Sequence, residues 1–161
     1  MQQQAINRID HVAILVYHEN FDAYVKRFSD LLGITFDAPI YNESAGLVAA
    51  LSWNSGIELV APLRPEGRFW EKLKRCGEGS ITLVFGVGDL DEALARAESQ
   101  GVSSHEWRFS PTTPWLSRFK KFREAKLEAF GPEFSLEVTL SQIEPRGAVD
   151  DGAPCILHNP E

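Results

Sequence analysis

The sequence predicts an α+β protein: two βαβββ modules whose strands form a curled, mixed β-sheet with a cup on its concave side. Three observations predict it. The order strand, helix, strand, strand, strand occurs twice within 161 residues. "HVAILV…FDAYVKRFSDLLGI" in the first half is answered by "TLVFGV…LDEALARAESQGV" in the second, and "LSWNSGIELVAP" by "LEAFGPEFSLEV". An internal repeat of this kind outweighs local detail when a fold is assigned. Within the strands, moreover, polar and apolar residues alternate, so each strand offers one face to a core and the other to something else.

The elements follow in order. "IDHVAILV", residues 9–16, is rich in β-branched residues and bounded by polar ones, and reads as a strand with one histidine inside it. Asn20 is placed to cap a helix through Leu32, because Phe21, Tyr24, Val25, Phe28, Leu31 and Leu32 recur at helical spacing and Gly33 follows as a stop. A short strand, Ile34 to Phe36, comes next. After a loop with Pro39 and Asn42, "GLVAALSW" is a strand that turns tightly at "NSG" into "IELVAP". Pro62 to Gly67 reads as a linker and Phe69 to Lys74 as a short helix.

After "CGEGS" the pattern restarts. "ITLVFGV" is a strand; Asp89 caps a helix whose apolar face is Leu90, Ala93, Leu94 and Ala97, and Gly101 closes it. "VSSHEW" is a short strand, and "REAKLEAF", the turn "GPE" and "FSLEVTL" form a hairpin. The segment "SPTTPWLSRFKKFREAKL" has no tidy match within the second repeat; with Arg118, Lys120, Lys121 and Arg123 it reads as a solvated basic face, or as a lid for a carboxylate or phosphate. The expected domain is 6–142, with repeats at about 6–63 and 79–142 and an irregular tail at 143–161 that is rich in Pro, Gly and Asp.

Composition narrows the partners. The chain is 43% hydrophobic and 24% charged, ordinary for a soluble globular protein. Its net charge of −7 argues against nucleic acid and against an anionic membrane surface. No apolar run has the length of a bilayer span. "MQQQAINRID" lacks the basic and apolar regions of a signal peptide, so a cytoplasmic location is expected. Cys76 and Cys155 suit free thiols in a reducing compartment.

Strand parity then sorts the polar residues. Val12, Ile14 and Val16 share a face, with His11 and Ala13 opposite. Ile57 and Leu59 oppose Glu58; Ile81, Leu83, Phe85 and Val87 oppose Thr82; Leu136, Val138 and Leu140 oppose Glu137 and Thr139. The apolar set suits a face covered by helices. His11, Glu58, Thr82 and Glu137 fall on the other, where a curled sheet would gather them. One imidazole and two carboxylates facing inward are costly unless partnered. A divalent cation would partner them, and so would a His–Glu hydrogen bond with water.

In this order and spacing, "IDHVAILV", "LLGITFDAP", "GIELVAP", "GVGDLDEALARAESQGV" and "FSLEVTL" resemble the vicinal oxygen chelate superfamily, also called the glyoxalase/bleomycin resistance/dioxygenase superfamily. The resemblance covers residues 9 to about 141 and is greatest to methylmalonyl-CoA epimerase-like and glyoxalase-like members. It implies a glyoxalase/bleomycin resistance/dihydroxybiphenyl dioxygenase-like fold, a small-molecule substrate and a homodimer, or at least a paired-module assembly. It implies that His11 is the metal-ligand histidine of the first strand. Glu58 is then the carboxylate or amide ligand closing the first repeat, and Glu137 the carboxylate ligand closing the second. Where the family carries a further histidine in a stretch like "HHIAFEV", this chain has Thr82, whose neutral hydroxyl is a poor ligand. Two outcomes stay open: a divalent ion (Zn, Mn, Co, Ni, Mg or Fe) held by His11, Glu58 and Glu137 with Thr82 or water, or no metal. A ferrous dioxygenase, which needs the second histidine, is disfavoured.

The implied function is an enzyme, an isomerase, epimerase or lyase working through an enolate-like intermediate at His11, Glu58 and Glu137. One carboxylate would be the proton-transfer base, and a metal, or Thr82 with His11, would stabilise the oxyanion. The alternative, from a different class, is a metal-free ligand-binding protein like the drug-sequestering members. For either, Trp53, Trp107, Trp115 and His105 are candidates to line a substrate pocket, although packing is the commoner role of tryptophan. His18 reads as a local, solvated residue and His158 as part of the tail.

Overall fold

A computed structural model describes residues 6–129 and 136–146. Strands β1 (Arg8–Leu15), β2 (Ile40–Asn42), β3 (Leu47–Ser52) and β4 (Ile57–Pro62), with helix α1 (Phe21–Leu32), make the first βαβββ run. Helix α2 (Gly67–Cys76) leads to the second: β5 (Ser80–Gly86), α3 (Leu90–Ser99), β6 (Ser104–Glu106), β7 (Phe119–Leu127) and β8 (Glu137–Pro145). The fold is therefore α+β with two βαβββ modules, as the sequence predicts. The described residues fall into two compact units, 11–82 and 6–10 with 83–129 and 136–146.

In the first unit the strand order is β2-β3-β4-β1. The "NSG" turn needs a left-handed residue, and Gly56 supplies it at φ 64°. The resulting hairpin pairs Leu51 with Glu58, and β1 lies parallel to β4 with Ala13 beside Glu58. Val16, Val48, Ala50, Leu59 and Ala61 pack with Phe21 of α1, joined by Ile14, Tyr24 and Val25. This is the apolar face that parity assigns. The opposite face is covered too: Leu15 and Val60 pack on Leu73 of α2, with Ala13, Leu47, Ala49 and Phe69 around them.

Two expectations differ from the structure here. Ile34–Phe36 is not a strand; Phe36 packs into the core, Asp37 N donates to Leu51 O, and ladder pairing begins only past Pro39, with Ile40 opposite Ala49. Proline has no N–H to contribute to a ladder, so pairing begins beyond it. At the end of α1, Leu31 and Leu32 are 75% and 59% exposed, because only the first turns of the helix lie over the sheet.

Asn20 precedes α1 but makes no side-chain cap; its amide Nδ2 donates to Glu78 Oε1 at 3.0 Å instead. Glu78 also accepts from Tyr17 N at 2.8 Å and from the Tyr24 hydroxyl at 3.4 Å. One carboxylate thus ties the end of β1 to the start of α1. Glu78→Ala should strand these donors and destabilise the protein by about 1–3 kcal/mol. A lowered urea midpoint at unchanged slope checks this; an unmoved midpoint refutes it.

In the second unit the order is β5-β8-β7-β6. Asp89 caps α3, its side chain accepting from Glu92 N at 3.0 Å. Leu90 and Ala93 pack on Val87, Ala125 and Leu140, with Phe85, Leu94 and Leu127 alongside. Gln142 fixes the start of α3, accepting from Leu90 N and donating to Gly88 O at 2.7 Å. Long antiparallel pairing sets Lys126 opposite Thr139 and Glu124 opposite Ser141, and β6 sets His105 opposite Lys126.

β7 starts at Phe119, not Arg123, so the basic segment is a 3-10 turn (Pro114–Arg118) leading into a strand rather than a lid. Phe119 is buried and its alternation with basic residues was masked by the doubled Lys120–Lys121, where the register shifts. β8 runs to Pro145, so ordered structure outlasts the expected boundary at 143. The "GPE" turn and residues 147–161, with Cys155 and His158, lie outside the described residues.

Arg123 bridges Glu106 at 2.8 Å and Asp91 at 2.9 Å. Its hydrogen bonds hold both carboxyls below their ordinary range, and the two carboxylates push the guanidinium further up. A lowered folded pKa adds stability above the unfolded value, and that stability is lost as pH falls through the folded one. Arg123→Met should therefore melt below wild type near neutral pH, with the gap closing in acid below the ordinary carboxylate range. A gap that is constant with pH contradicts the assignment. The effect is small, since these groups are largely solvated.

Candidate functional site

The side of the first unit opposite α1 carries His11 and Glu58, as alternation demands. Parallel pairing of β1 with β4 sets Ala13 beside Glu58, one pleat from His11. His11 is buried, and its Nε2 lies 3.6 Å from Glu58 Oε2. That is too long for a hydrogen bond but within reach of ionic attraction once the ring is protonated. Glu58 keeps 24% of its side chain exposed, so it can face the imidazole and still meet solvent or a ligand.

In the second unit, the side of β7 and β8 opposite α3 carries Glu137, Thr139 and Ser141 from β8 and Glu124 and Lys126 from β7, by register and alternation. Glu137 Oε1 is 3.2 Å from Lys126 Nζ, which is also 3.4 Å from Glu128 Oε2. Thr139 and Ser141 are both buried, and the Ser141 hydroxyl has no hydrogen-bond partner among the described residues. Buried polar groups of this kind mark either strain or a place where something polar binds.

Aromatic rings extend this surface. Trp115 meets Phe122 at a centroid distance of 4.5 Å and Phe109 at 5.5 Å, and Phe109 meets Phe122 at 5.1 Å, all edge-on. Trp107 stands edge-on to the exposed His105 at 5.4 Å. Trp53, by contrast, donates Nε1–H to Asp37 at 3.0 Å, which anchors a loop. Thr82 is half-buried on β5.

The structure thus joins His11 to Glu58, and sets Glu137 against a lysine that sequence reasoning missed. A signal for Lys126 existed: counting back from "FSLEVTL" across a hairpin gives its place opposite Thr139, but only once the loop length is known. Among the described residues, no three His, Cys, Asp or Glu side chains are grouped so as to hold a metal ion. Glu137 already faces an ammonium, and the position of the further histidine is taken by Thr82. Among the described residues the donor set does not fit a divalent ion, and no chemical step is drawn through one.

Residues 10–113 match the family model described as the Glyoxalase/Bleomycin resistance protein/Dioxygenase superfamily. No curated protein matches the chain. Solved structures similar to it include methylmalonyl-CoA epimerase from Mycobacterium tuberculosis, 24% identical, TM-score 0.64, covering 91% of this chain and 93% of that one. A Streptomyces coelicolor methylmalonyl-CoA epimerase variant, in complex with 2-nitronate-propionyl-CoA, is 23% identical with TM-score 0.66 over 88% and 99% of the two chains. Hypothetical protein BH1468 from Bacillus halodurans C-125 is 18% identical with TM-score 0.68 over 88% and 97%. At these identities the likeness establishes the fold.

Proposed function

The chain belongs to the Glyoxalase/Bleomycin resistance protein/Dioxygenase superfamily, and from that premise we propose that it is an isomerase of the epimerase kind, moving a proton on the carbon next to a carbonyl. The observation that carries the reading is the buried His11 imidazole facing Glu58 on the side of the strands opposite α1. A buried ring beside a carboxylate is costly to maintain for packing alone and is suited to proton transfer.

In this reading a carboxylate carries the proton, the candidates being Glu58 and Glu137. One carboxylate takes it from the α-carbon; the C–H electron pair forms the enolate double bond as the carbonyl pair moves to oxygen. A second acid, in its protonated form, returns a proton to carbon. His11 orients Glu58 and holds it ready. Epimerase neighbours solved with methylmalonyl-CoA and with 2-nitronate-propionyl-CoA support an α-carboxyacyl thioester as substrate class. A homodimer is the expected assembly, checked by light scattering. No helix among the described residues is long and apolar enough to cross a membrane.

The test is α-deuterium incorporation into methylmalonyl-CoA in heavy water, followed by mass spectrometry. The folded wild-type chain is expected to exchange the α-hydrogen. Binding without exchange would overturn this reading in favour of a ligand-sequestering protein, for which the aromatic cluster around Trp115 offers a surface.

A further inference from the structure

We propose that Lys126 is the built-in cation of this chain at Glu137, standing where metal-dependent members of the superfamily place a divalent ion. We further infer that its ammonium receives the oxygen that becomes negative as the α-proton leaves; this second half rests on the epimerase reading. The placement comes from register: Lys126 lies opposite Thr139 on β8, so it shares the side of the strands that carries Glu137. Its Nζ is 3.2 Å from Glu137 and 3.4 Å from Glu128, and only 18% of its side chain is exposed. Two carboxylates therefore converge on one positive charge.

The arrangement excludes a competitor and leaves a donor. A divalent ion on Glu137 would lie within a few ångström of a tethered positive charge, where repulsion is scarcely screened. An ammonium has three N–H groups, and the two carboxylates approach it at ion-pair distances of 3.2 Å and 3.4 Å, so an N–H can still turn to a substrate oxygen. The same side carries the buried Ser141 hydroxyl, which has no hydrogen-bond partner among the described residues, so this surface is polar and unsatisfied as a substrate oxygen would require. During proton transfer Lys126 keeps its proton and donates a hydrogen bond to the enolate oxygen; the proton itself moves only between carbon and a carboxylate, and no oxidant or reductant is needed.

The experiment uses the full chain with Co(II) as the metal probe, followed by its visible absorption and by calorimetry. Wild type is expected to take up no Co(II), and its α-proton exchange is expected to ignore a chelator. Lys126→Met, checked for folding by its melting curve, should bind Co(II) at least about tenfold more tightly. That gain should disappear in the Lys126→Met/Glu137→Gln double variant. Lys126→Arg, which keeps the charge, should refuse Co(II) like wild type, and Lys74→Met, on the exposed surface of α2, should change nothing. Co(II) bound tightly by wild type through Glu137, or identical Co(II) affinity in wild type and Lys126→Met, overturns the cation assignment. Exchange of the thioester α-proton should fall about tenfold to a hundredfold in Lys126→Met and recover in part in Lys126→Arg; an unchanged rate overturns the oxyanion role. If wild type exchanges nothing, the epimerase reading has failed, while the Co(II) measurements still judge Lys126.

Discussion

Glu137→Gln and Glu58→Gln are each expected to slow α-proton exchange by about 10²–10⁴-fold, the usual contribution of a positioned acid or base. The amide keeps the shape of the carboxylate and loses its basicity. Stability should barely move for Glu58, which is 24% exposed and faces His11 at 3.6 Å without a hydrogen bond. Glu137→Gln also leaves the Lys126 ammonium without one of its two carboxylates, so a modest loss of stability is expected there. Deuterium incorporation at saturating thioester, with binding measured separately, separates a lost base from a lost fit. If both variants exchange as fast as wild type, the two carboxylates are not the proton carriers.

Leu59→Ala is expected to cost about 2–5 kcal/mol, the range for a truncated, fully buried leucine. Leu59 has no exposed surface and sits in the cluster with Val16, Phe21, Val48, Ala50 and Ala61. It also neighbours Glu58 in β4, so the cavity would loosen the strand that presents that carboxylate. Leu31→Ala serves as the comparison. Leu31 is 75% exposed despite its place in the helical pattern, and its truncation should stay within about half a kcal/mol. Chemical denaturation of both variants checks the contrast; equal losses would mean that the packing of α1 is other than described.

The module order was legible because its signals are local. Alternation in "HVAILV", "GIELV" and "FSLEVTL", and the helical spacing after Asn20 and Asp89, report side-chain direction from a few neighbouring residues. The same alternation set His11 and Glu58 in one unit, and Glu137 and Thr139 in the other, apart from their apolar neighbours, and the packing of α1 and α3 bears out those faces. Leu31 and Leu32 misled because periodicity measures the orientation of a stripe around a helix, not how far the partner sheet extends beneath it. The segment 110–123 misled for a related reason. Its doubled lysines break the two-residue rhythm at the point where β7 shifts register, so the start of a strand reads as a basic face or a lid.

The sequence by itself determined the two βαβββ runs, the faces of their strands and the polar residues turned away from α1 and α3. These follow from a repeat of two along a strand and 3.6 along a helix. Only the tertiary structure decided that α2 packs on the side of the first unit opposite α1, and that Lys126 stands against Glu137. Which residues meet across strands depends on hairpin length and register, and a slip of one residue would have turned Lys126 to the other face.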